Sequence, residues 1–415
     1  MNAREVIERM TATPGRGAGT DAERRVAAWL AEGLRAEGHD VAVETVWIRP
    51  GWAVAHALSL FVAAAGTALS AVVPAAGLAL TVLALLSLGG ELSGELLLAR
   101  RLTRRRASQN VVVHGPRSPA AHSHPSGRLR LLLVANVDAG RMGAAYRDVW
   151  VRAEAGLRRR FAGRLPSPLG LATLTVALQA ALAATRLAGT SGQTLGIAQL
   201  ALAMLALLGA MVLIDIALSP HARGAVANAS GVATAIEVLE ALRRSPPEAL
   251  DVDVVLAGAG DSQESGFSAL LADRRRRGWR PEEVVVIALE PCAVGELRYL
   301  SHQGQLLARA LHPQLIAAVH QTGSQEAHLA ARPLRDHGAG AAHAARRAGW
   351  PAIGIGARDR RDRPGPVRQR RDDTDVIDEH TRSACVELCL ALIAVLDRDL
   401  ARAQSPGLTV GGSSE

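Results

Sequence analysis

Lysine is absent from the 415-residue chain, which has only two tyrosines, three phenylalanines and three cysteines. Without lysine there is no phosphate-binding loop of the Gly-rich type, and no Gly-x-Ser-x-Gly elbow offers a serine nucleophile. The stretch "HGAGAAHAA" at 337–345 lacks the spacing of a dinucleotide fingerprint. Cys292, Cys385 and Cys389 make no disulfide framework. Cys385 and Cys389 share one helical face and are expected in a core. The formal charge of +8 is carried entirely by arginine on the basic side, yet aromatics amount to 3%. Basic residues with no stacking aromatics and no nucleic-acid motif exclude nucleic acid as the expected partner. No apolar leader opens the chain: "MNAREVIERM" is charged, and the first long apolar run begins at residue 52, which predicts a cytoplasmic N-terminus.

Hydrophobic residues are abundant, at 49%, and the mean hydropathy is +0.13. Four apolar runs account for this: 52–74, 75–90 (extending toward Leu98 if Glu91 and Glu95 lie near an interface), 167–185 and 195–218. Each is near the length that spans a bilayer, and they read as two transmembrane hairpins, 52–98 and 167–218. Arg49, Arg100, Arg101, Arg104, Arg105, Arg106, Arg158, Arg159, Arg160, Arg164 and Arg223 flank the ends next to the polar segments, whereas the hairpin tips hold little beyond Arg186. That asymmetry predicts a multi-pass protein of the inner or plasma membrane, in contact with lipid, whose polar part is cytoplasmic. The near absence of charge within the runs argues against a transport path.

The polar remainder alternates strands with helices. Helices are expected at 21–37, from 230, near 265–276, near 305–321 and from 378 to about 402; strands at 40–48, 108–114, 129–135, 251–257, 283–289, 296–301, 326–331 and 352–356. The pattern predicts an α/β three-layer sandwich with a mostly parallel sheet, its ligands at the C-terminal ends of strands. One domain is then interrupted twice. It comprises 1–51, 99–166 and 219–403, with 404–415 a disordered tail. His122 and His124 stand in a Pro/Ser/Gly-rich loop. His337, His343 and His380 are expected at surface or helix-end positions.

Four strand-end turns and one loop carry the polar residues: "LLLVANVDAG" (131–140), "RGAVANASGVA" (223–233), "VVLAGAGDSQESGF" (254–267), "VVVIALEP" (284–291) and "RPGPVRQRRDDTDVID" (363–378). In order and spacing they resemble metallopeptidase family 28 of clan MH, the di-zinc aminopeptidases and their glutaminyl-cyclase-like relatives. The segments 15–46 and 344–356 resemble that family's opening helix and strand and its Gly-x-Pro strand, and the hairpins resemble those of a membrane-associated bacterial branch. The resemblance implies the zinc-aminopeptidase fold and a metal site at these turns.

Carried over residue by residue, the resemblance places the zinc ligands at Asn136, Ala227, Asp261, Glu290 and Arg368, and the general base at Gly260. Asp138 stands where the family has an aspartate that orients the first ligand, and Asn228, Ser230 and Gly231 keep the pocket turn. Only Asp261 and Glu290 remain carboxylates, each altered in length by one methylene. An amide, an alanine and a guanidinium are poor replacements for zinc ligands. The expectation is therefore a degenerate member with no cofactor: a pseudopeptidase that binds a peptide or protein partner, or scaffolds a complex. The alternative is a divergent zinc aminopeptidase or metallohydrolase using Asp261, Glu290 and a recruited histidine. Arg368 is expected to pair with Glu290 or Asp261 where a metal once sat, and the Ala227–Asn228 peptide, cis in the di-zinc relatives, is expected trans.

Overall fold

The computed structural model describes residues 1–94, 96–117, 129–161 and 163–404; Glu95, His122, His124 and the tail from 405 onward lie outside the described residues. The chain begins with α1 (Ala3–Thr11) and α2 (Asp21–Ala36), where the Thr20 side chain accepts from the Glu23 N–H and so caps the second helix. Strand β1 (Asp40–Ile48) leads into α3 (Trp52–Leu69) and α4 (Pro74–Ser93), then β2 (Arg106–His114) and β3 (Leu129–Asn136). After α5 (Asp148–Arg160) comes the second apolar pair, α6 (Pro168–Leu187) and α7 (Gln193–Leu218). The remainder runs α8 (Ser230–Arg244), β4 (Leu250–Ala257), α9 (Ser265–Arg276), β5 (Val284–Leu289), β6 (Glu296–Gln303) and β7 (Arg309–Ala310). It ends with α10 (Pro313–Gln325), β8 (Arg332–Asp336), α11 (Ala341–Arg347), β9 (Ala352–Arg358) and α12 (Glu379–Gln404).

The strands form one sheet in the order β1-β2-β4-β3-β5-β9-β6-β7, with β8 beside β6. Its centre, β4-β3-β5-β9, is parallel and buried on both faces, which is why these strands read as near-continuous Val/Ile/Leu runs. Helices α1, α2, α8, α10 and α12 cover one face, and α9 and α11 the other. The expected three layers are present, but the sheet is mixed rather than mostly parallel. On one flank β1 pairs with β2 and β2 with β4 antiparallel; on the other β6 pairs antiparallel with β9 and β7. The physical reason at the first flank is that the β1–β2 connection re-enters at the end it leaves, as in any hairpin. The α3–α4 hairpin returns the chain to the end it left, so Ile48 pairs with Arg106 and β2 runs back along β1.

Three further expectations need correction. Residues 327–329 form a single 3₁₀ turn, and the strand expected at 326–331 lies at Arg332–Asp336. The helix expected near 305–321 begins at Pro313, whose ring suits the first helical turn and not an interior position. Helices α1, α5 and α11 were not anticipated from the pattern.

The two apolar hairpins pack on each other as a four-helix bundle, α3 against α4 and α7, and α6 against α4 and α7. Leu60, Ala63, Leu88, Val176, Ala210 and Leu213 form its core. Some polar side chains inside it are paired: Ser59 Oγ donates to Ser87 Oγ at 2.9 Å, and Gln199 Nε2 to Ser70 Oγ at 3.0 Å, whereas the buried amide of Gln179 on α6 has no partner among the described residues. Leu174, Leu200, Leu208 and Met211 are more than half exposed on its outer surface. Five helices among the described residues are long and apolar enough to cross a membrane, but the one at Ala225–Arg244 is 72% buried and is a core helix. Glu91 does not lie at an open edge: it is buried, 2.7 Å from Arg100 and 3.4 Å from His56. Arg100 also donates to the Ser262 carbonyl at 3.2 Å, so one guanidinium joins the bundle to the turn after β4.

Candidate functional site

The parallel centre of the sheet delivers the turns after β3, β4 and β5 to one end, and the turn before α8 and the loop before α12 join them. Asp138, fully buried, accepts from the backbone N–H of Gly260 at 2.7 Å and of Asp261 at 3.0 Å. The turn after β3 thereby fixes the turn after β4. Asp372 plays the same part on the other side: it accepts from the Val226 N–H at 2.7 Å and the Ala227 N–H at 3.4 Å. Arg16, with no exposed surface, donates to the carbonyls of Val137 (2.7 Å), Arg223 (3.1 Å) and Gly224 (3.4 Å). The Ala225–Ala229 segment is a single π-type turn entered through Gly224 at φ +70°, a backbone conformation that glycine tolerates best. No peptide among the described residues is cis, so Ala227–Asn228 is trans as expected. Ser230 closes the turn, donating to the Val226 carbonyl at 2.8 Å and accepting from the Cys292 N–H at 3.2 Å. Asn228 is half-buried within it, and Gly231 approaches the Glu290 carbonyl.

At the ligand positions, Arg368 makes an ion pair with Asp261, and its second amino group donates to the Tyr146 hydroxyl at 2.7 Å. The guanidinium lies 5.0 Å from the Tyr146 ring centroid and 5.9 Å from that of Trp52, contacts in the range of cation–π attraction. Of the two partners the sequence offered, Asp261 is the one taken. Glu290 instead faces Arg358, at 3.6 Å, and accepts from Gln303 Nε2 at 3.1 Å. Asn136 donates to Glu264 Oε1 at 2.7 Å. A side chain begun at Gly260 would meet the Asn136 amide at 2.3 Å, so the amide occupies the room that a glutamate at 260 would need.

Sequence reasoning missed Glu264, Tyr146, Arg358, Gln303, Asp372 and Arg16. Asp372, Arg16 and Glu264 lie within the turns and segments singled out above, but nothing in their spacing showed which groups they would meet. Tyr146 had no signal at all. His337 is corrected: it is buried and follows β8 rather than lying on the surface or at a helix end; His343 is buried but stands in the first turn of α11, one of the two positions expected, and His380 is exposed as expected. The three cysteines are buried, as the helical spacing of Cys385 and Cys389 suggested.

The electrostatics follow from crowding acids with few cations. Burial, with Glu23 and Asp261 nearby, pushes the Asp138 carboxyl up to about 8. Burial also raises Glu23 to about 7 and Asp372 to about 6. Glu264 is raised well above the usual range by burial and by Asp138, Glu290 and Asp261, against the Asn136 hydrogen bond. Burial works against the Arg368 cation, but Asp261, Tyr146 and Asp138 together outweigh it and hold the guanidinium charged.

Residues 211–393 match the model of peptidase family M28. No curated protein matches the chain. Among solved structures, a leucine aminopeptidase precursor from Bacteroides thetaiotaomicron superposes with a TM-score of 0.53 at 13% identity, over 95% of this chain and 96% of that one. Porphyromonas gingivalis glutaminyl cyclase gives 0.53 at 14% identity over 96% and 97%. A Zn-dependent exopeptidase from Parabacteroides distasonis gives 0.53 at 12% identity over 95% and 97%. The fold is therefore that of the zinc exopeptidases and glutaminyl cyclases, and within that class the chain is M28-like. The fold implies zinc, but the residues at the ligand positions do not fit a pair of zinc ions. Arg368 is bound to one of the two remaining carboxylates, Arg358 faces the other, and Asn136 and Ala227 supply no anionic donor. Among the described residues, the one group of acids and histidine close enough to share an ion is Glu37, His39 and Glu240, which are not among these positions.

Two expectations follow. Replacing Arg368 with Ala leaves Asp261, only 10% exposed, without its cation; the cost is about 3 kcal/mol, at the low end for a buried pair because Arg368 is 24% exposed. Thermal unfolding measures it, and Arg368→Ala combined with Asp261→Asn is expected to recover part of the loss; an unchanged melting temperature for Arg368→Ala means a merely solvated loop. The second concerns pH. Exposed carboxyls ionise near 4 and exposed histidines near 6.5; burial lowers His221 and His343 to about 4, which offsets the raised carboxyls at acid pH, so it is between about pH 6.5 and pH 8, where Glu23 and Asp138 titrate, that the folded chain holds more protons than the unfolded one. Stability then falls as pH rises through that window, and Glu264→Gln, which mimics the protonated acid, is expected to flatten the decline in a series of melting curves.

Proposed function

We propose that the protein is a membrane-embedded M28-like pseudopeptidase: both hairpins span the bilayer, the α/β unit is cytoplasmic, and its pocket binds a peptide or protein partner without hydrolysis. The observation that carries the non-hydrolytic reading is the Arg368–Asp261 ion pair. A permanently charged guanidinium at a ligand position repels a divalent cation and replaces it as counter-ion to the carboxylate. The base position supports the same reading. A proton acceptor poised beside a bound water is what amide hydrolysis needs, and Gly260 offers none while Asn136 fills its space. The membrane reading is supported by four apolar helices of spanning length, exposed leucines on their outer faces, and arginines at their polar ends.

Metal analysis and an aminopeptidase assay on detergent-purified protein test the chemistry. Less than a tenth of a zinc ion per chain, and no hydrolysis of aminoacyl substrates above blank when zinc is added, are expected at the order of magnitude a lost site implies. Two bound zinc ions with turnover overturn the reading. Topology is tested separately with single cysteines at exposed sites, the native cysteines being buried. In intact cells an impermeant maleimide is expected to label Ser191→Cys at the α6–α7 tip and to spare Ser245→Cys; the reverse pattern sinks the assigned orientation.

A further inference from the structure

A cavity of about 840 Å³ begins at the Gly260–Asp261 turn and continues between α6 and α7. It lies within the range of small-molecule sites, roughly 300–1,000 Å³. Along most of its length the walls are apolar, with Leu60, Leu174, Leu178, Leu205 and Val212 among them. Leu174, Leu178, Leu205 and Leu208 on its rim are about half exposed, so the opening lies on the bundle's outer apolar surface. Its inner end is polar, formed by Asp261, Gln263, Gln305, His337 and Arg368.

That polar end offers hydrogen bonds but no spare charge. Arg368 is engaged by Asp261, and Arg158, also on the wall, stands 2.6 Å from Glu154. His337 is 5% exposed; its Nε2 donates to the Gly163 carbonyl at 2.7 Å, and its Nδ1 has no partner. Burial and the nearby Arg158 hold its pKa below the ordinary value, so the ring is neutral and Nδ1 is an acceptor awaiting a donor. An anionic head would be desolvated here with no unpaired cation to meet it. A hydroxyl would supply the missing donor to His337 without that cost.

We infer that this cavity takes one molecule of a neutral, hydroxyl-headed, single-chain lipid of the monoacylglycerol type from the bilayer, its acyl chain between α6 and α7 and its head beside His337. The inference rests on the membrane reading of the hairpins and concerns the apolar cavity between α6 and α7, beside the turns where a peptide or protein partner is proposed to bind.

The test uses the full chain in lipid nanodiscs and a monoacylglycerol with a diazirine in its acyl chain. After irradiation, adducts are expected on α6 and α7 residues of the cavity wall, displaced by unlabelled monoacylglycerol and not by oleate or lysophosphatidic acid. Val212→Trp, which fills the cavity, is expected to reduce labelling about tenfold, and His337→Phe, which keeps a ring but removes the acceptor, to weaken competition about three- to tenfold. Leu200→Trp, on the outer surface and away from the cavity, leaves both unchanged. Adducts spread evenly around the bundle, or equal displacement by the charged lipids, overturn the inference even if a variant fails to fold, because both are read on the unaltered chain. A chain that stays soluble without detergent and enters no nanodisc defeats the membrane reading instead; an inserted chain with no competable adduct defeats the lipid site alone.

Discussion

The end of the central sheet gathers more carboxylates than it can leave ionised without a cation. Asp138, Asp261, Glu264 and Glu290 come from three consecutive strand ends, and Glu23 and Asp372 approach from flanking segments. In a dry pocket such a set must bind metal, take up protons, or recruit fixed cations. This chain does the last two. Arg368 meets Asp261, Arg358 meets Glu290 and Arg16 lies among Asp138, Asp372 and Glu23, while Glu264 and Asp138 are driven toward their protonated forms. The same backbone turns that would hold ligands are thereby stabilised by hydrogen bonds and ion pairs within the protein.

The bundle is joined to this end of the sheet rather than tethered by loops. Trp52, the first residue of α3, lies beneath the Arg368 guanidinium, and Arg100 links Glu91 of α4 to the Ser262 carbonyl one residue beyond Asp261. A shift of either hairpin would therefore be felt at the turn after β4. The β1–β2 connection that carries the first hairpin returns to the end it leaves, so β2 pairs antiparallel to β1.

Much of this was legible in the sequence, and the parts that were not share a cause. Apolar runs of two kinds, short β-branched ones and long Leu/Ala ones, separate strands of a doubly covered sheet from helices of spanning length, and their positions agree with the pattern. The turns at 136–140, 224–231 and 258–261 carried enough of their residues for the family resemblance, and that Arg368 would meet Asp261 or Glu290 followed from needing a cation there, though which of the two did not. Direction of pairing at the sheet edges did not follow, because it depends on where a connection re-enters. Glu264, Tyr146 and Arg358 were invisible for a similar reason: each acts through a neighbour distant in sequence, and a lone Glu, Tyr or Arg has no local signature of its partner.

The changes at the old ligand positions are also not independent of one another. With glycine at 260 the Asn136 amide fills the space a side chain there would need, and Asn136 in turn donates to the Glu264 carboxyl. Arg368 sits at φ +60°, a strained backbone for a residue with a side chain, held there by Asp261, Tyr146 and Trp52 together. Each replacement is thus packed against the next, and returning any single residue to its zinc-binding type leaves the others in its way. At the strand ends the polar turns meet the apolar cavity of the bundle. The packing of Arg368 on Asp261 and of Asn136 beside Gly260 is the physical basis on which binding rather than turnover is proposed for this site.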